Sequence, residues 1–198
     1  GVLNEIGWRD ENGDGIREAH DIEGIKDGTA LTLTLATSIM HRPMAESIAK
    51  DFRQCGVGII IDAKGPQQFY AASSVSPLYA RDFQLALYGW QAVVPGGCSA
   101  WLSDRLPANG NAGSEVNYGG YQNLVFDDLC RQALSAVEIE HQYQALHDAQ
   151  VILAEDQATL FLTWQPRWLV SQPDVKGIVM DISAFGRLSH PESITKDK

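Results

Sequence analysis

The chain has 198 residues, 44% hydrophobic and 20% charged, a globular mixture that excludes wholesale disorder and can bury a core without disulfides or metal. Lys plus Arg number 15 against 25 Asp plus Glu, a formal net charge of −10, and the dispersed cations exclude nucleic acid as the main partner. No stretch approaches the roughly 18–20 apolar residues of a membrane span.

The first residues, GVLNEIGWRD, lack an initiator Met and the charged-then-apolar layout of a signal peptide. LNEIGW reads like the end of a helix in progress, so the expectation is a piece cut from a longer chain. Residues 31–37, LTLTLAT, alternate at period two and predict a strand with one apolar face. Pro43 then suits a first helical turn, and Ala45, Ile48, Ala49 and Phe52 mark one buried helical face ended by Gly56. VGIIIDA (57–63) is a β-branched run of the kind found in strands covered on both faces. Strand, helix, strand in this span is a βαβ unit with a parallel pair and a right-handed crossover.

PQQFYAAS (66–73) predicts a short helix opened by Pro66, and FQLALYGW (83–90) another strand. A polar, Gly-rich loop follows, longer than a compact domain needs for a connection, and such loops are usually functional or disordered. Helices are predicted over 125–136 and 140–155, the second with an apolar face of Ile139, Tyr143, Leu146, Ala149 and Leu153. ATLFLTW (158–164), RWLVS (167–171) and VKGIVMD (175–181) are strand-like, and SHPESITKDK is a polar end expected to fray. The expected architecture is α/β, a mixed sheet with its βαβ unit flanked by helices, in a single domain over 1–198. Its parts are an entry hairpin (1–30), a βαβ core (31–93), a long loop (94–122), helices and strands (123–181) and a tail (182–198).

The sharpest local motif is DENGDGIREAHD, which fits the template of a calcium loop. Asp10, Asn12 and Asp14 would offer side-chain oxygens, Ile16 its carbonyl, and Asp21 stands at the twelfth position with a shorter reach than Glu. The competing reading is a hairpin turn, since Asn-Gly and Asp-Gly favour hairpins. No GxSxG elbow, P-loop or HExxH is present, and five histidines are scattered at 20, 41, 141, 147 and 190. Cys98 or Ser99 is the one nucleophile candidate, and Cys98 reads better as an ordinary loop thiol. Cys55, Cys98 and Cys130 form no zinc spacing, and their odd number leaves at least one thiol free, with no pair favoured.

An aromatic and amide cluster lies in or beside the long loop: Tyr88, Trp90, Gln91, Trp101, Asn117, Tyr118, Tyr121 and Asn123. Rigid aromatic area with adaptable amides suits a pocket wall. The competing readings are that Trp90 and Trp101 anchor a core and that Asn123 caps the helix beginning near Leu124.

The ordered set LNEIGWRDENGDGIRE, LTLTLAT, AESIAKDFRQCGVGIII, DFQLALYGWQA, GGYQNLVFDDL and AQVILAEDQATLFL resembles the family 5 extracellular solute-binding proteins. These are the oligopeptide, dipeptide and nickel type receptors of ABC importers, and the likeness runs over about residues 3–180. It implies one lobe, the C-terminal one, of a two-lobed binding protein whose other lobe belongs to the same longer chain. It implies a bacterial, extracytoplasmic protein, periplasmic or at the cell surface and lipid-anchored, that closes on a peptide or peptide-like solute and passes it to a membrane permease. It implies no enzyme activity and no cofactor, and makes the GDGIR hairpin a family feature that need not bind metal.

In peptide-binding members the strand and loop around a Gly-Trp pair contact the ligand, which here assigns contact to Gly89, Trp90, Gln91, Ala92 and Val93. An aspartate three residues after that Trp holds the ligand's α-amino group; this chain has Val93 there. A valine cannot pair with an ammonium, so a peptide would need another anchor, or the ligand is a sugar, opine-like or other solute. Beside this stand two alternatives: a hydrolase or transferase using Cys98 or Ser99, and a calcium-stabilised structural module.

Overall fold

The computed structural model describes residues 1–90, 97–107, 116–163, 168–181 and 188–196. Two compact units are present, Gly1–Trp90 with Trp101–Gln122, and Gln91–Ala100 with Asn123–Lys198.

In the first unit a single helical turn, α1 (Val2–Glu5), leads into a hairpin of β1 (Trp8–Arg9) and β2 (Glu18–Ala19), paired antiparallel. The Leu/Thr alternation becomes β3 (Thr32–Ser38), followed by α2 (Arg42–Gln54) and β4 (Gly58–Lys64). β3 and β4 run parallel from Thr32↔Gly58 to Ser38↔Lys64, as the βαβ reading expects. β5 (Leu85–Leu87) adds in parallel on the other side of β3, giving the order β4-β3-β5. β3 is therefore central, and Leu35, Ala36, Thr37 and Ser38 are buried. The Thr37 hydroxyl is satisfied by donating to the Leu87 carbonyl at 2.8 Å, which ties β5 to β3.

α2 turns the predicted face inward: Ala45 is buried, and Ile48, Ala49 and Phe52 are half-buried. It stops at Gly56, whose φ of +81° lets Val57 N–H reach the Phe52 carbonyl and Gly56 N–H the Arg53 carbonyl. This pair of bonds satisfies carbonyls that a helix end otherwise leaves open. One expectation fails here. β4 is an edge strand rather than one covered on both faces, and Ile60 is 59% exposed. The helices that cover Ala36 leave Ile60, which pairs with Thr34, in solvent.

Those covering helices are α3 (Pro66–Phe69), as predicted, and α4 (Pro77–Ala80), which carried no periodic signal because it is one turn long. Ser76 joins them by accepting from Tyr79 N–H and donating to the Phe69 carbonyl at 2.6 Å. Ala36, Phe69 and Leu78 form a buried cluster with Phe83, Ala86, Tyr88 and Tyr118 packed around it. Burying Phe69 alone contributes about 2–3 kcal/mol.

The second unit is built on a helical hairpin, α5 (Leu124–Ser135) and α6 (Ile139–Glu155), which pack on each other. α5 buries Phe126, Cys130 and Ala133, and α6 buries Ala145, Ala149 and Leu153. Of the predicted face, Ala149 and Leu153 are buried and Leu146 half-buried, whereas Ile139 is 48% and Tyr143 62% exposed and Ala145 is buried in addition. The contact uses the small pair Ala145 and Ala149, because interaxial distance is set by side-chain size at the seam. Gln142 closes the hairpin by donating to the Ala133 carbonyl at 3.2 Å.

Beyond α6, the apolar runs at 158–163 and 168–171 form no ladder among the described residues, contrary to expectation. Leu160, Trp168 and Val170 are 80%, 84% and 90% exposed. The run at 175–181 splits at Gly177 into β6 (Val175–Lys176) and β7 (Val179–Met180). These pair antiparallel with β9 (Thr195–Lys196) and β8 (Leu188–Ser189), so part of the expected frayed tail is ordered by backbone pairing. No helix among the described residues is long and apolar enough to cross a membrane.

Candidate ligand-binding site

Open parallel α/β sheets bind ligands outside the carboxyl ends of their strands. β5 ends at Leu87, so Tyr88, Gly89 and Trp90 emerge at that end. Trp90 is half-buried and packs edge-on against Trp101, ring centroids 4.7 Å apart at 65°. Tyr88 meets Tyr118 in the same manner at 5.9 Å and 83°. Gly89 N–H donates to the Tyr70 hydroxyl at 3.4 Å, which brings in an aromatic from the residue after α3 that sequence reading did not single out. Its signal was a lone Tyr following a short helix, and no spacing ties it to Gly89.

The phenols are neutral. Burial pushes the Tyr88 hydroxyl up to about 12, with Tyr118 and Tyr70 adding to it. Tyr118 and Tyr70 are also raised, chiefly by burial. Gln91, Ala92 and Val93, the remaining predicted contacts of this segment, lie outside the described residues.

The amides play different parts. Asn117 is fully buried and turns inward, its Nδ2 donating to the carbonyls of Tyr121 (2.7 Å), Leu102 (3.2 Å) and Trp101 (3.3 Å). Its Oδ1 accepts from Tyr121 N–H at 3.0 Å. It is a framework residue that fixes the backbone at Trp101 and Tyr121, not a pocket wall. Tyr121 is half-buried, with its backbone committed to Asn117. Asn123, in the second unit, is the N-cap of α5: Oδ1 accepts from Val125 and Phe126 N–H, and Nδ2 donates to Asp156 at 2.8 Å. The capping reading accounts for the two bonds to Oδ1, and the Nδ2 bond ties the cap to the residue that follows α6.

The DENGDGIREAHD segment is the loop of the β1–β2 hairpin. Asp10 accepts from Gly13 and Gly15 N–H, Asn12 from Asp14 N–H, and Asp14 from Ile16 N–H. These bonds fold the turn by side-chain capture of backbone donors. Carboxylate oxygens of Asp10, Asp14 and Glu18 lie within 4.8 Å of one another. Glu18 was not in the predicted ligand set. Asp21 is apart from them, at φ +53° with its N–H on Asp27.

Cys98 carries no thiol: it is joined to Cys130 of α5 in a disulfide, and Cys55 is the free cysteine. The loop-thiol reading is corrected, and a Cys98 nucleophile is withdrawn with it. Ser99 is buried. A shallow polar hollow beside the start of β5 is lined by Thr34, Asp62, Arg81 and Gln84. Of its groups, Asp62 pairs with Lys64 at 2.7 Å and Gln84 accepts from Thr34 N–H at 2.8 Å.

No family model and no curated protein matches the sequence. Solved structures do. The oligopeptide-binding protein of Thermus thermophilus, complexed with a pentapeptide, matches 79% of this chain at TM-score 0.65 and 21% identity. A periplasmic oligopeptide-binding protein of Thermotoga maritima, bound to mannohexaose, matches 79% at TM-score 0.62 and 19% identity. NikZ of Campylobacter jejuni, in complex with Ni(L-His), matches 79% at TM-score 0.59 and 20% identity. The chain has the fold of one lobe of a periplasmic binding protein. It spans 27%, 28% and 29% of the length of those three proteins. The periplasmic-binding-protein lobe thus accounts for the parallel sheet and its flanking helices.

Proposed function

We propose that residues 1–198 act as the C-terminal lobe of the solute-binding component of an ABC importer, closing with a second lobe on a peptide-sized solute and delivering it to a membrane permease. The observation that supports this best is the aromatic group Tyr88, Trp90 and Trp101, at the carboxyl end of the parallel sheet in a chain with a binding-protein lobe fold. That is where an open α/β sheet receives a ligand. Solved proteins of this fold carry ligands as different as a pentapeptide and Ni(L-His), so the lobe supports a binding role without fixing the solute.

The proposed location is extracytoplasmic, with a lipid anchor carried elsewhere in the longer chain. The Cys98–Cys130 disulfide supports it, because such bonds persist in oxidising compartments and are rare in the cytosol. Against the enzyme reading, Cys98 is held in the disulfide and Ser99 is buried.

The test is native mass spectrometry of the full-length parent purified from its host. A copurifying small solute, released on denaturation, is the expected result. A parent that carries none and takes up none from a periplasmic extract overturns the proposal.

A further inference from the structure

We infer that the two apolar runs after α6, at 158–163 and 168–171, are strands of a sheet whose neighbouring strands lie in the rest of the parent chain. The inference stands on the fold and holds whether or not the parent binds a solute. Gln157, just past α6, has φ +50° and turns the chain out of the helix. Leu160 and Leu162 in the first run, and Trp168 and Val170 in the second, are spaced i, i+2. That spacing sets side chains on one face of a strand. All four are exposed, as is Leu169. Contiguous apolar surface of this kind marks a place that another folded body covers.

What these runs need is an opposite strand. β6 and β7 are only two residues long, yet each forms a ladder, because β9 and β8 supply the facing backbone. The upstream runs are longer and more apolar, and form no ladder among the described residues. Adding such a run to a sheet gains main-chain hydrogen bonds and side-chain burial together. The rest of the parent chain is the occupant that fits. This chain spans 27% to 29% of solved proteins that share its fold, so most of the backbone of such a protein lies outside these residues. A second copy would instead bring another net charge of −10, and like charge opposes association.

The experiment is amide hydrogen exchange read by mass spectrometry on the full-length parent and on the 198-residue chain. The expected result is exchange at 158–163 and 168–171 at least about a hundredfold slower in the parent, with β3 protected alike in both. Leu160→Asp with Val170→Asp in the parent should erase that protection and leave β3 protected. If that variant does not fold, Leu160→Ala with Val170→Ala is read in the same way, with a smaller loss. Equally fast exchange of the runs in both proteins overturns the inference, as does protection that survives the substitutions. Protection already present in the 198-residue chain also overturns it, assigning the runs to a second copy if it falls on dilution and to this chain itself if it does not. None of these outcomes depends on a solute, so the solute-binding reading stands or falls separately.

Discussion

Asn117 holds an amide against three carbonyls and one N–H in a segment with no regular secondary structure. Replacing it with Ala strands buried acceptors that water cannot reach, so Asn117→Ala lowers stability by about 2–3 kcal/mol, measured by urea unfolding. A loss below about 0.5 kcal/mol would show that water substitutes for the side chain. Tyr88 gives a second residue-scale prediction. Its hydroxyl has a folded pKa of about 12 against 10.0 in the unfolded chain, so the folded state retains the proton that the unfolded state releases. Stability from this group is fully present below pH 10 and is lost as pH rises towards 12. Titration at 295 nm should show one phenol ionising late, and Tyr88→Phe should remove that late step. The sequence placed Asn117 and Tyr88 in one aromatic and amide cluster but did not distinguish their roles. An amide donates equally well to a ligand or to the backbone, and only the carbonyls folded around Asn117 decide which.

At the scale of elements, the βαβ unit was legible because independent signals agree. LTLTLAT sets the period, Pro43 and Gly56 bound the helix, and the Ala45-to-Phe52 face needs a sheet to cover. Long-range partnerships were not legible. Nothing in the spacing pairs Cys98 with Cys130, or puts Ala145 rather than Ile139 and Tyr143 with Ala149 on the buried side of α6. β6 to β9 are two-residue strands, too short for a periodic pattern, and exist only because their partners lie opposite. The disulfide offers the clearest test at this scale. It ties a loop segment to the middle of α5 across a sequence separation of 32. Closing a loop of that length removes about 3–4 kcal/mol of unfolded-chain freedom. Reduction, or the Cys98→Ser/Cys130→Ser double variant, should lower the unfolding midpoint accordingly, while Cys55→Ser leaves it within about 0.5 kcal/mol. Equal effects of the two substitutions would mean that the bridge does not constrain the unfolded chain.

For the molecule as a whole, the decisive quantity is how much of a ligand one lobe can cover. Pockets that bind small molecules tightly bury about 70–90% of the ligand surface. On the proposed function, the pairs Trp90–Trp101 and Tyr88–Tyr118 belong to one lobe, which would touch a solute from one side and leave the other in water. Translational and rotational freedom is lost in full on binding, while only part of the contact energy is recovered, so area on one jaw converts poorly into affinity. The 198-residue chain should therefore bind its solute only in the millimolar range, and the two-lobed parent at least about a hundredfold more tightly, a difference of about 2.7 kcal/mol. Calorimetry on both proteins with the solute recovered from the parent measures that ratio directly. Micromolar affinity of the isolated chain would mean that the site is complete within these residues, and that a second lobe controls release or permease contact instead of capture.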